Sequence, residues 1–217
     1  MNPRTSQHDH FGRNMKFWGR LTGLLVVALV LLAGCTSSNV RVEQEFPAMV
    51  AEPRDMKAVL VMDYDFRNYQ AWPNPKTSIQ LGAAQVDSLS KAFSGLFAQV
   101  KVVSSKEQAG TDTDLVIIPS VREVQLSTPS ESHLNVYEVW IKYNLDIETA
   151  DGVPIDSWFL PAYGKTPYSY LLSRSKAIEE ATVMALRDAG AKLMLDFFRI
   201  PEIHGWMQQR QATRAEP

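Results

Sequence analysis

Cysteine occurs once in the 217 residues, at Cys35, and histidine only four times. A single thiol forms no internal disulfide, so the fold has to rest on its core. His8 and His10 precede Cys35, and His133 and His204 stand far apart. No Cys/His set therefore has the spacing of a zinc site. Glycine is sparse as well: no phosphate-cradling loop is present, and Gly190 stands alone in a helical pattern. Ser132-His133 has no Gly-X-Ser-X-Gly elbow beside it and reads as part of a polar loop over 127–135. Asp63 and Asp65 lack the further acids and the glycine of a calcium loop, and read as a strand end. These absences together leave no catalytic set, and no enzyme is expected.

Charge of one sign is also missing. The chain has 22 Lys+Arg and 24 Asp+Glu, a net charge of -2. Residues 1–34 hold four bases (Arg4, Arg13, Lys16, Arg20) and one acid (Asp9), so residues 35–217 carry 18 bases and 23 acids, or -5. That balance gives no footprint for nucleic acid. Nor does it suggest adhesion to an anionic membrane surface.

Long hydrophobic runs are absent, but a short one is present. Residues 24–33 (LLVVALVLLA) come after a basic segment in which either Met1 or Met15 serves as the start. As a helix the run is about 15 Å long, half of the roughly 30 Å bilayer core, so it fits an export signal better than a span. Small residues close it at Ala33 and Gly34, where a peptidase needs an open backbone. The segment Leu32-Ala33-Gly34-Cys35 resembles the bacterial lipobox. That resemblance implies recognition of Leu32, Ala33 and Gly34 by a signal peptidase, cleavage before Cys35, and a covalent diacylglycerol and N-acyl lipid on Cys35. No other cofactor and no metal is expected. Two or three acyl chains anchor firmly where one is marginal. Thr36, where Asp commonly favours inner-membrane retention, implies an outer-membrane anchor facing the periplasm.

The remaining chain divides into a lipidated N-terminus and flexible tether over 35–56, a periplasmic domain over 57–208 and a disordered tail over 209–217. A tether of that length spans about 25 Å, although Val40-Arg-Val has the makings of a short strand. In the domain, the Ala-Val-Leu-Val-Met run of 57–66 reads as a buried strand. Over 79–100, Ile79, Ala83, Val86, Leu89, Phe93, Leu96, Phe97 and Val100 recur at helical steps, which reads as a helix. Short strands come next over 101–104 and 115–126, the second with Pro119 suggesting an edge or bulge. The clearest strand is Val136–Thr149, where Tyr137, Val139, Ile141, Tyr143, Leu145 and Ile147 alternate with polar residues. Asp151-Gly152 reads as a two-residue turn into 154–160. A second helix over 175–199 starts at Ser175 as N-cap and stops before Pro201. The economical fold is α+β: one twisted, mostly antiparallel sheet of four to five strands with two long helices on one face.

A lipobox, a strand–helix–strand unit, a long hairpin and a closing helix resemble the YajG-type bacterial lipoproteins. More distantly they resemble the TolB N-terminal-like fold of CsgG- and LpoB-type lipoproteins. The resemblance covers roughly 57–201 and is one of pattern and spacing. It implies an adaptor or assembly subunit of the cell envelope with a protein partner, peptidoglycan or an exported polymer being alternatives, and it leaves a homo-oligomer open. An auxiliary of envelope lipid or polysaccharide transport is the rival function, and a cell-wall enzyme a minor one.

With a two-residue turn, opposed residue numbers in the hairpin sum to 303. Leu145 then meets Trp158 and Tyr143 meets Leu160 on the core face, while Asn144 meets Phe159 and Trp140 meets Tyr163 on the other. Trp140, Phe159 and Tyr163 are the candidate partner surface, unless Val40–Val42 or 161–170 folds over them. The lipobox generates the first prediction. Cys35→Ala should abolish acyl labelling and release the domain from membranes or stall the precursor; unchanged labelling and fractionation would defeat it.

Overall fold

The computed structural model of the chain describes residues 37–48, 51–168 and 173–215. Cys35 and its recognition residues Leu32, Ala33 and Gly34 lie outside them.

The strands come in chain order as β1 (Ser38–Arg41), β2 (Arg54–Val61), β3 (Gln70–Asn74), β4 (Thr77–Gln80), β5 (Phe97–Val103), β6 (Leu115–Ser127), β7 (Val136–Thr149) and β8 (Pro154–Pro167). Three longer helices join them: α1 (Gly82–Leu96), α2 (Arg174–Asp196) and α3 (Pro201–Ala215). There are two sheets, not one: β5-β2-β6-β7-β8 and β1-β4-β3. The larger is mixed, since β2 runs parallel to both β5 and β6 while β6, β7 and β8 are antiparallel neighbours. The expectation of a single, mostly antiparallel sheet is corrected on both counts. The reason lies in 58–62, where Ala58, Val59, Leu60, Val61 and Met62 are all buried. A strand covered on both faces reads as a continuous apolar run, the signature of a central parallel strand.

The core fills one face of the large sheet. Tyr137, Val139, Ile141, Tyr143, Leu145 and Ile147 all point into it, and so do Leu89, Phe93, Ile178, Ala185 and Leu193 of α1 and α2. Both helices therefore do share one face. Ser88 Oγ donates to Leu186 O (3.2 Å), which ties them together. Gln85 is fully buried; it donates to Phe66 O (2.7 Å) and accepts from Tyr143 OH (3.2 Å). Burial holds the Tyr143 phenol far above its ordinary value. On the other face, a smaller cluster of Val59, Val61, Val103 and Val116 packs with Ala109 and Ile118.

Several local readings shift. The helix expected over 79–100 starts only at Gly82, because Ile79 belongs to β4 and pairs with Val40 of β1 and Ala71 of β3, and it stops at Leu96, because Phe97 and Val100 belong to β5 and pair with β2. Pro119 is tolerated in a central strand because the pairing of β6 with β2 ends at Ile117. Ser173, not Ser175, caps α2, accepting from Lys176 N (3.2 Å). Pro201 opens α3, where its missing N–H costs nothing.

The two ends of the domain also differ from expectation. Residues 38–48 are no tether: β1 is paired, and Val40, Val42 and Phe46 are buried in the core. Phe46 N donates to Asp87 Oδ2 (3.0 Å), which fastens the segment to α1. The expected tail from 209 is instead the continuation of α3, which runs to Ala215 and pairs Arg210 with Asp114. Ile203 and Met207 bury its inner face.

The hairpin turn is a three-residue loop, Ala150-Asp151-Gly152, with Gly152 at φ 78°. Its extra residue is cancelled by a bulge at Ile155, so from Ile147–Asp156 onward the pairing is the one expected. Leu145 is fully buried opposite Trp158. Leu145→Ala should cost about 2–5 kcal/mol in denaturant unfolding; a loss under about 0.5 kcal/mol would contradict this packing.

Candidate functional site

The even-numbered residues of β7 face away from the core. The structure places Trp140 opposite Tyr163, with ring centroids 5.0 Å apart and planes inclined by 41°. Both are half-buried. Tyr163 OH donates to Glu138 Oε1 (2.6 Å), which fixes the ring at its polar end. Partial burial, this bond and the neighbouring carboxylate charge push the Tyr163 phenol up to about 12.

Phe159 lies on the same face, is 45 % exposed and pairs with Asn144. It does not join the Trp140–Tyr163 pair. Four residues along β8 separate it from Tyr163, about 13 Å, with the exposed Pro161 between. The expected cluster is thus a stripe: an aromatic pair, the Lys142–Pro161 step, then Phe159.

Polar groups frame this stripe. Lys142 Nζ pairs with Glu123 (2.5 Å) and holds that carboxyl below its usual range. Asn144, itself buried, accepts from Arg122 (2.8 Å) and donates to Asp146 (2.8 Å) and Ser157 Oγ (2.9 Å). The face therefore combines apolar planes with donors and acceptors in fixed positions. Of the two segments expected to fold over it, Val40 packs into the core on the helix side and 161–167 continues β8; residues 169 and 170 lie outside the described residues.

Helix α2 positions the stripe from behind. At Gly164 a Cβ would come 2.0 Å from Ala181 O, so α2 sits on β8 at backbone distance. Tyr163 N donates to Asp188 Oδ2 (2.9 Å), and Lys192 Nζ donates to Pro161 O (2.7 Å). The otherwise free edge of β8 is thereby tied to the helix.

The remaining candidates have structural roles. Asp63 caps the helical turn Tyr64–Arg67, accepting from Phe66 N (2.8 Å). His133 is an exposed left-handed residue after the turn Pro129–Ser132. No group of three His, Cys, Asp or Glu that could hold a metal occurs among the described residues. A feature missed by sequence is a cleft of about 570 Å³ lined by 41–45, 67–70 and the start of α1. It is walled by residues assigned to the tether, so nothing in their order marked it. Arg67, which lines it, is already committed to Met62 O (2.6 Å) and Val103 O (3.3 Å).

No family model matches the chain, and no curated relative matches it in sequence. Solved structures do. A neuraminyllactose-binding hemagglutinin homolog from Helicobacter pylori aligns over 80% of this chain and 100% of its own, with a TM-score of 0.51 and 11% identity. That likeness is one of fold. A hypothetical protein from Chlamydia trachomatis aligns over 64% of this chain and 93% of its own, with a TM-score of 0.43 and 10% identity. A minor lipoprotein from Acinetobacter baumannii aligns over 66% and 90%, with a TM-score of 0.38 and 13% identity.

The raised phenol gives a pH prediction. Between the ordinary tyrosine value of 10.0 and about 12, the unfolded chain ionises Tyr163 while the fold keeps it neutral. The unfolded state then holds fewer protons, so stability falls as pH rises through that window. Urea unfolding at both ends of the window should show a shallower decline for Tyr163→Phe than for the parent. Parallel declines would contradict the environment described.

Proposed function

We propose that the chain is a lipid-anchored, non-enzymatic binding or assembly protein of the cell envelope. Cys35 is its anchor, and the outer stripe of the β7–β8 hairpin is its contact surface. The observation that carries the reading is the Trp140–Tyr163 pair, held rigidly on a sheet face that the described helices leave uncovered, with Phe159 exposed beside it. Trp and Tyr on a pre-organised face lose little side-chain entropy on binding and are the commonest hot-spot residues.

The partner is another envelope protein, met at the periplasmic side of the outer membrane as Thr36 implies. The YajG-type resemblance supports the same reading. Among the described residues no helix is long and apolar enough to cross a membrane, so in this reading attachment falls to Cys35. The rival transport role calls for an apolar groove beside the two helices; the cleft of about 570 Å³ at the start of α1 combines Val42, Tyr69, Ala83 and Ala84 with Arg41, Glu43 and Asp87 at its polar side, and it is where that reading would have to be tested.

The test is Trp140→Ala in cells, read by crosslinking with mass spectrometry and by unfolding of the purified domain. The expected outcome is loss of the crosslinked protein with folding retained. Crosslinks to peptidoglycan or an exported polymer instead would replace the protein partner. A stable mutant that keeps every crosslink would remove this face from consideration.

A further inference from the structure

The chain enters the fold almost at once after Cys35. Ser38 opens β1, pairs with Thr77 and donates its N–H to Lys76 O (2.8 Å). Only Thr36 and Ser37 intervene. Three residue steps reach at most about 11 Å. A domain anchored through Cys35 therefore has no length with which to stand off the bilayer, and the end carrying Ser38 has to meet the headgroups. Such contact rests on the proposed role of Cys35 as the anchor.

The composition of that end suits it. Arg174, at the start of α2, reaches Thr77 Oγ1 (3.3 Å) and so sits beside the 74–77 turn. Its charge is close enough to act on Tyr137, whose ring lies 6.1 Å from that of Tyr168. Tyr168 N donates to Asn135 O (2.8 Å), which brings the loop carrying Leu134 to the same end. Three large apolar side chains are exposed here: Trp72 at 66 %, Tyr168 at 59 % and Leu134 at 57 %. Lys76 and Arg174 are exposed among them, and neither pairs with a carboxylate among the described residues.

Trp and Tyr favour the membrane–water boundary because their rings are apolar at one side and polar at the other. Lysine and arginine are drawn to anionic headgroups within a Debye length. The net charge of -5 after residue 34 carries no positions; at this end Glu179 is taken up by Lys176, while Lys76 and Arg174 make no such pair among the described residues.

We propose that the end of the domain formed by Trp72, Lys76, Leu134, Tyr168 and Arg174 rests on the lipid headgroups. Strand β7 leads away from that end, so Trp140 stands about 14 Å along it, to the side of the contact and open to a partner.

The experiment uses the mature acylated protein in vesicles of phosphatidylethanolamine and phosphatidylglycerol. Acylation occupies Cys35, so Lys76→Cys or Asp151→Cys supplies the one free thiol for a fluorophore, at the near end and at the far hairpin loop respectively. Flotation reports anchoring, and iodide quenching reports exposure to water. The expected result is flotation of both, with quenching severalfold weaker at position 76 in vesicles than in detergent and unchanged at position 151. Trp72→Ala together with Arg174→Ala should raise quenching at 76 part of the way to its value in detergent, the short link still holding Ser38 near the surface, while flotation and the parent melting temperature persist. Flotation with equal quenching at both positions overturns this inference and leaves the anchor intact. Failure of the acyl-labelled preparation to float overturns the anchor reading, and the inference falls with it.

Discussion

Strand β7 has to pair on both edges and bury one face without a gap, and the rest of the domain is arranged to let it do so. Its six inward residues, from Tyr137 to Ile147, are all buried. A slip of one residue would turn that whole row to solvent and bring Glu138, Lys142 and Asp146 into the core. Register is therefore fixed along all of β6 and β8. The bulge at Ile155 and the register shift between Val121 and Glu123 are the places where the neighbours adjust to β7. Tyr143 extends the constraint into the helical layer, because its hydroxyl donates to Gln85, which in turn holds Phe66 O. A buried phenol left without that partner would be expensive.

The same constraint shapes the outer face. Once the odd residues are committed to the core, Trp140 has to stand outside, and β8 supplies Tyr163 opposite it. Helix α2 then presses on β8 from the core side at Gly164. The aromatic stripe is thus backed by a helix that meets its strand at backbone distance. The N-terminal strand belongs to the same packing: β1 pairs with β4 from Ser38 onward, so the described fold begins three residues after Cys35.

Much of this is legible in the chain. The alternation of 136–149, the pairing of Trp140 with Tyr163, the placement of Leu160 in the core and the two helices on one face follow from period and spacing. The hairpin loop is one residue longer than its Asp-Gly suggests, yet the register is the expected one because the longer loop and the bulge cancel. Less legible is the β1-β4-β3 sheet. Its strands have four or five residues each, too few for a periodic signal, and Ile79 fits the helical stripe of α1 as well as it fits β4. The continuous apolar run of β2 marks a strand covered on both faces, but nothing along the chain names β5 and β6 as its parallel neighbours.

By itself the sequence determined what depends on neighbours along the chain: the amphipathic face of β7, the presence of the two long helices though not their caps, and the mild acidity of the whole; for residues 32–35 it offers a resemblance to a lipobox. The tertiary structure alone decided what depends on residues far apart. It turned 38–48 from a spacer into a packed segment, because β1 finds its partner in β4, Val40, Val42 and Phe46 are buried there, and Phe46 N reaches Asp87 of α1. It separated Phe159 from the Trp140–Tyr163 pair, because the strand rise sets their distance whatever their shared face. It also gathered Trp72, Leu134, Tyr168 and Arg174 at one end, since strands and helices that begin or end there bring together residues separated by up to about a hundred positions.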